Sequence, residues 1–174
     1  NLMFVGEGPG QQEDLQGIPF VGRAGQLLTQ LIEGIGLTRD DVYIANVVKC
    51  RPPGNRDPMP DEIEACSPWL DRQLELIAPR VLVTLGNFAT KLLLQTKDGI
   101  TKLRGREFSY QRAGIDAVLV PTFHPAAALH AQGRRTAGPS PLEAMEGDFK
   151  VLAELLAARA PVDDDRPTEQ LGLF

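Results

Sequence analysis

Leu2-Met3-Phe4-Val5-Gly6-Glu7-Gly8-Pro9-Gly10 decides the fold: a short apolar run breaks into glycines, as a buried strand does when it feeds a loop in an α/β unit. Working outward, the same alternation repeats along the chain. Over residues 23–33, Leu27, Leu28, Leu31 and Ile32 fall at helical spacing, and Gly34 and Gly36 end that helix. Val42, Ile44, Val47 and Val48 mark a strand over 41–49. Asp61 is placed to cap a helix running to about residue 78, with Ile63, Leu70, Leu74 and Ile77 facing inward. Residues 80–85 read as a continuous apolar strand, and Gly86-Asn87 leads into a helix over 88–95. A hairpin is expected near 106–117, then a strand over 117–121 and a loop over 122–130. Leu142, Met145, Phe149, Leu152 and Leu156 give a long amphipathic closing helix over 139–160.

Strand and helix in alternation imply right-handed crossovers. The expected fold class is therefore α/β, a three-layer α/β/α sandwich around a mainly parallel four-stranded sheet. Ligands in such folds bind beyond the carboxyl ends of the strands. Three irregular segments each follow a strand: the glycine loop over 7–22, the stretch over 50–60 with its four prolines, and the loop at His124. They should gather at one edge. That convergence points to an enzyme or a small-molecule site.

The bulk numbers bound the answer. A chain of 174 residues with 43% hydrophobic and 24% charged side chains fits one globular domain, expected over 1–160, followed by a polar tail over 161–174. No apolar run approaches the roughly 18 residues of a membrane span, and no secretory signal is recognisable. The chain starts inside a core strand rather than at a Met, so a missing upstream segment is expected. The formal charge of -5 argues at first against a polyanionic partner. Asp163, Asp164, Asp165 and Glu169 against Arg166 make the tail -3, which leaves -2 of the total -5 on residues 1–160. Two cysteines fit a reducing compartment, with a disulfide the lesser use of Cys50 and Cys66.

Taken alone, the glycine loop has two readings. It could bring backbone N–H groups against an anion or polar heterocycle, or simply form a tight strand-to-helix turn. The Lys-Ser/Thr pair of a phosphate-binding loop is missing, and Pro9 spoils a dinucleotide fingerprint. His124 is one of two histidines; between a strand end and Pro125, its ring is held at the sheet edge. His130 lacks that context and reads as surface.

These segments together carry a resemblance. Gly6-Glu7-Gly8-Pro9-Gly10, Gly17-Ile18-Pro19-Phe20-Val21-Gly22 and Ala24-Gly25-Gln26-Leu27-Leu28 are followed in order by Asn46-Val47-Val48-Lys49-Cys50-Arg51-Pro52-Pro53, Asn55-Arg56 and His124-Pro125. Across roughly 1–160 the chain resembles the family 4 uracil-DNA glycosylases. The resemblance implies excision of uracil from DNA, with the base flipped into a pocket. Phe20 would stack on the ring, backbone near Gly8 would hydrogen-bond it, and Asn46 would pair with its edge and reject cytosine. Glu13 would stand where a thymine methyl must go. His124 would hydrogen-bond the uracil oxygen as negative charge grows there. The best-known glycosylases of this kind carry an aspartate after the first glycines, whereas this chain has Glu7. Glu7 or Asn55 would stand near the attacking water, and Asn55 beside Gly54 reads equally well as a turn residue. A related group that captures uracil covalently uses a histidine in the second loop; residues 49–58 hold none.

Cys50 and Cys66 match the downstream ligand pair of the family's [4Fe–4S] cluster, the other two thiolates being expected in the missing upstream segment. Such a cluster would pin the loop at Cys50 to the helix after Asp61. Without the family, two cysteines are equally well buried free thiols. For the DNA backbone, Lys102, Arg104 and Arg106 form one basic run and Arg134-Arg135 another, each of which could also be plain solvated surface. Leu129 is the candidate apolar wedge. The terminus Gln170-Leu171-Gly172-Leu173-Phe174 resembles the bacterial sliding-clamp-binding peptide, with Gln170, Leu171, Leu173 and Phe174 as anchors, although a chance polar end is the bland alternative. The implied setting is a monomer in bacterial or archaeal cytoplasm, acting on uracil-containing DNA and no membrane. Two other classes stay open: a catalytically weak DNA-binding or replication-associated module of the same fold, and a nucleotide-handling enzyme, which the missing Lys-Ser/Thr pair disfavours.

Overall fold

The computed structural model describes residues 1–131 and 138–159. Strand β1 (Leu2–Gly6) runs through the middle of the sheet, parallel to β2 (Tyr43–Asn46) on one side and β3 (Val81–Leu85) on the other. Beyond β3 lies β5 (Ile115–Thr122), also parallel, and β4 (Phe108–Arg112) closes the edge antiparallel to β5. The order β2-β1-β3-β5-β4 makes five strands, not the four expected. The extra strand is the outer arm of the anticipated hairpin. Only Tyr110 of β4 is fully buried, between exposed Ser109 and Gln111, so its apolar signal is that of a half-covered edge strand. Ala113 and Gly114 reverse the chain with φ of 51° and 74°, the left-handed pair that a two-residue hairpin turn requires.

Alternation along the strands splits the core in two. Leu2, Phe4, Val81 and Val83 face Leu28 and Ile32 of α2 (Arg23–Gly34), Ala128 of α6 (Pro125–Ala131), and Met145, Phe149 and Leu152 of α7 (Pro141–Ala158). Met3, Val5, Leu82 and Leu119 face Leu70 and Leu74 of α3 (Pro60–Ile77) and Ala89 and Leu93 of α4 (Asn87–Leu93). Helix α3 begins one residue earlier than its expected cap, because Pro60 is pre-set for a first turn and Glu62 accepts the Met59 N–H at 2.8 Å. Two short helices lie in the glycine loop and before β4: α1 (Gln11–Gln16) and α5 (Ile100–Leu103). Helix α1 buries no residue, so it leaves no apolar period to read.

One polar knot ties three elements behind the His124 segment. Asp148 of α7, 5% exposed at its side chain, accepts from Thr122 Oγ1 at 2.6 Å and from Arg104 Nε and Nη2 at 3.1 and 2.7 Å. Arg104 also donates to the Ala144 carbonyl and lies over the Phe123 ring. Burial raises the Asp148 pKa above the usual carboxylate value, and its hydrogen bonds only partly offset this. Asp148→Ala leaves Thr122 and Arg104 without their acceptor, and is expected to cost about 3 kcal/mol in urea unfolding, the low end for a broken buried ion pair.

Candidate active site

The carboxyl ends of the parallel strands meet around a cavity of about 430 Å³. Its lining brings together Glu7, Gly8, Glu13, Phe20, Asn46, Asn55 and His124, seven positions singled out from the sequence. Glycines let these walls approach. A Cβ on Gly6 would lie 2.6 Å from both Asn46 Oδ1 and the Phe20 ring, and one on Gly8 would lie 2.7 Å from Val48 Cγ2. The loop is drawn onto the segment that follows β2 by Val47 N–H to Gly6 O at 2.9 Å and Val48 N–H to Glu7 O at 3.0 Å.

Phe20 and His124 form one wall, their ring centroids 5.5 Å apart and tilted by 35°. The Ala126 N–H donates to His124 Nδ1 at 3.1 Å, so the ring hydrogen sits on Nε2. Burial pushes the His124 pKa down to about 4, against the opposing pull of Glu13. Near neutral pH this is an uncharged imidazole that donates from Nε2. Gly86, with φ of 92°, backs it closely: a Cβ there would lie 2.9 Å from His124 Cβ.

Asn46 ends β2 and is 5% exposed. Its Oδ1 is buried with no hydrogen-bond partner among the described residues. A buried carbonyl left unpaired costs roughly 1–3 kcal/mol, so a ligand N–H that closed it would be tightly held. The backbone beneath is fixed by Lys49, whose Nζ reaches Asn46 O and Gln73 Oε1, each at 2.6 Å.

The carboxylates differ sharply. Glu13 Oε1 accepts the Val21 and Gly22 N–H groups, both at 2.9 Å, and braces α1 against the start of α2. Burial acts to raise its pKa, but these backbone donors outweigh it and hold Glu13 below the usual value. Glu7 receives no such bonds among the described residues; burial, aided by Asp57, raises its pKa. Asn55 adopts φ of 55° and accepts Arg51 Nε at 2.7 Å, so the turn reading holds for its backbone while the residue also lines the cavity.

Other sequence candidates fall elsewhere. Arg104 is turned inward onto Asp148, which leaves Lys102 and Arg106 as the outward members of that run. Lys102 pairs with Asp98 at 2.9 Å on the surface, and Arg106 lies over the Phe108 ring. Leu129 is half-buried on α6. Arg134, Arg135 and the anchors Gln170, Leu171, Leu173 and Phe174 lie outside the described residues. Cys50 is exposed and Cys66 half-buried, both free; the Lys49 N–H beside Cys50 points at Cys66 Sγ, 3.3 Å away. Among the described residues no three His, Cys, Asp or Glu side chains gather as a cation site. The cavity also takes in Arg56, from the Asn55-Arg56 segment, and His130, which the sequence left as plain surface. His130 sits six residues past His124, and only the helix between them turns it to the mouth.

Such a slot suits a flat heterocycle: an aromatic wall, a carboxamide reading its edge, and a neutral N–H donor where negative charge can develop. A sequence model described as the Uracil DNA glycosylase superfamily matches residues 1–150. The chain is 50% identical over 159 residues to the type-4 uracil-DNA glycosylase of Sulfurisphaera tokodaii, covering 88% of this chain and 69% of that one. The chain belongs to the type-4 uracil-DNA glycosylases. Type-4 enzymes of Archaeoglobus fulgidus (45% over 164 residues; 92% of this chain, 79% of the relative) and Saccharolobus solfataricus (46% over 163; 91% and 72%) agree. In this glycosylase no helix of the described residues is long and apolar enough to cross a membrane.

Proposed function

We propose that this chain hydrolyses the N-glycosidic bond of uracil in DNA, releasing free uracil and leaving an abasic site. The observation that carries the reading is the unpaired, buried Asn46 carboxamide beside the Phe20–His124 wall. Uracil offers an N–H donor next to a carbonyl acceptor, the complement of a carboxamide; cytosine offers the reverse. As the C1′–N1 bond breaks, the sugar gains cationic character and the electron pair leaves on uracil. Neutral His124 donates from Nε2 to the oxygen where that charge collects, an interaction stronger in the transition state than in the ground state. Water adds to C1′ and gives up a proton, and Glu7 is the acceptor we assign, with Asn55 orienting the water. Glu13 keeps the Gly22 turn in place and bars a thymine methyl.

Ionised Glu7 is the working form, so its raised pKa places the acid limb of turnover above that of an ordinary glutamate. Asp57→Asn removes part of the upward push and is expected to move that limb to lower pH. A pH–rate profile checks this, and an unmoved limb refutes Glu7 as the titrating base.

Lys102 and Arg106 are the basic side chains we assign to DNA phosphates, with Leu129 as the wedge. Cys50 and Cys66 would hold a [4Fe–4S] cluster as two of its four thiolates, where it would act as a structural crosslink between the loop and α3. Their adjacency fits half a ligand set, and the chain has no further cysteine. The sequence over 170–174 supports a tail that docks a sliding clamp, beyond a catalytic domain ending near residue 160. The central test incubates the protein with uracil- and thymine-containing oligonucleotides and then cleaves abasic sites. Nicking at uracil alone is expected, and none at either base sinks the reading.

A further inference from the structure

We infer that Arg39 is a positioning residue for Phe20, holding the ring in the slot where the flipped base stacks. This rests on the uracil reading above, although half of its test does not.

Arg39 opens a short 3-10 turn over Arg39–Asp41, between α2 and β2, and does not line the cavity. Its Nη1 donates to Phe20 O and its Nη2 to Pro19 O, each at 2.8 Å, and Nη1 also reaches Thr29 Oγ1 at 3.3 Å. Two successive peptide carbonyls thus face one side, an arrangement that repels unless a cation lies between them. A planar guanidinium fits two such acceptors at once, which an ammonium does not. Among the described residues no carboxylate pairs with Arg39, so the turn has its charge to itself.

The clamp is needed because Phe20 has φ of 55°, in the left-handed region that a bulky side chain rarely occupies. Strained residues of this kind persist where their surroundings over-determine them, and they cluster at functional sites. Here the surroundings are Arg39 on the carbonyls and Gly25 behind them, where any Cβ would overlap Phe20 O. The strained backbone sends the ring over Gly6 and against His124. Released from Arg39, the Pro19–Phe20 carbonyls separate, φ relaxes to a negative value, and the ring leaves the wall.

Two readouts test this on the full chain. The first needs no catalysis: the Phe20 ring current on the His124 ring protons, read by NMR. Arg39→Ala should move those protons toward the values of Phe20→Leu, and millimolar guanidinium, far below denaturing strength, should restore them. The second is single-turnover uracil release, where a misplaced wall should cost on the order of 100-fold in Arg39→Ala and less in Arg39→Lys. The Arg39→Ala loss should shrink sharply in a Phe20→Leu background, because both changes remove the same contact. Arg39→Lys keeps the charge and answers the same measurements should Arg39→Ala melt too low. Wild-type ring shifts and turnover in a folded variant overturn the inference, and so do losses that simply add to Phe20→Leu. A wild-type protein that releases no uracil refutes the proposed function instead, while the ring shifts still decide the clamp.

Discussion

Asn46→Asp is expected to lower uracil release by roughly a thousandfold or more, since a site built around hydrogen bonds rejects a mismatched partner by several orders of magnitude. The substitution is nearly isosteric, so packing against Gly6 and Phe20 is preserved. What changes is the edge. A carboxylate has two acceptors and no donor, and its second oxygen would face a uracil carbonyl. Buried among β2, Gly6 and Phe20, the new acid should have a raised pKa. Protonation turns that oxygen into a donor, so activity should recover in part as pH falls. Discrimination against cytosine should narrow as well, because the ionised form accepts from an exocyclic amine. The measurement is single-turnover release from matched uracil and cytosine oligonucleotides across pH. Wild-type rates in Asn46→Asp would remove Asn46 from base reading.

How much of this was legible beforehand follows from the physics of each element. Strands β1 and β3 are buried on both faces and announce themselves as unbroken apolar runs. The carboxyl ends of the parallel strands β1, β2 and β5 then place Gly6, Asn46 and His124 on one edge without further information. Half-covered elements were harder. Strand β4 has one fully buried side chain and α1 has none, so neither carries a period strong enough to set a strand count or break a loop. The supports of the site were not legible at all. Arg39 acts over 19 and 20 residues of separation and Asp148 over 26 and 44, on partners that are mostly backbone carbonyls or common polar side chains. Nothing local distinguishes such an arginine from a solvated one. Arg104 shows the same limit from the other side: a basic run reads as one patch, while the fold turns its middle member inward onto Asp148.

His124→Ala is the second large effect, and its pH behaviour separates two mechanisms. Losing one preorganised donor to a developing oxyanion typically costs about 100- to 1,000-fold, and a loss in that range is expected here. A histidine acting as a general acid would make wild-type turnover fall as pH rises through its pKa. His124 cannot work so near neutrality, because burial leaves it uncharged down to about 4. The loss in His124→Ala should therefore be uniform across the neutral range, with the profile keeping its wild-type shape and acid limb. Stability carries the complementary sign. The unfolded ring takes up a proton near 6.5 and the folded ring only near 4, so this group's contribution is complete above 6.5 and is lost as pH falls across that window. His124→Ala should flatten that part of the stability curve in urea titrations run from neutral to acid pH. A His124 ring that titrates near 6.5 by NMR, with turnover that follows it, would replace the neutral donor with an imidazolium.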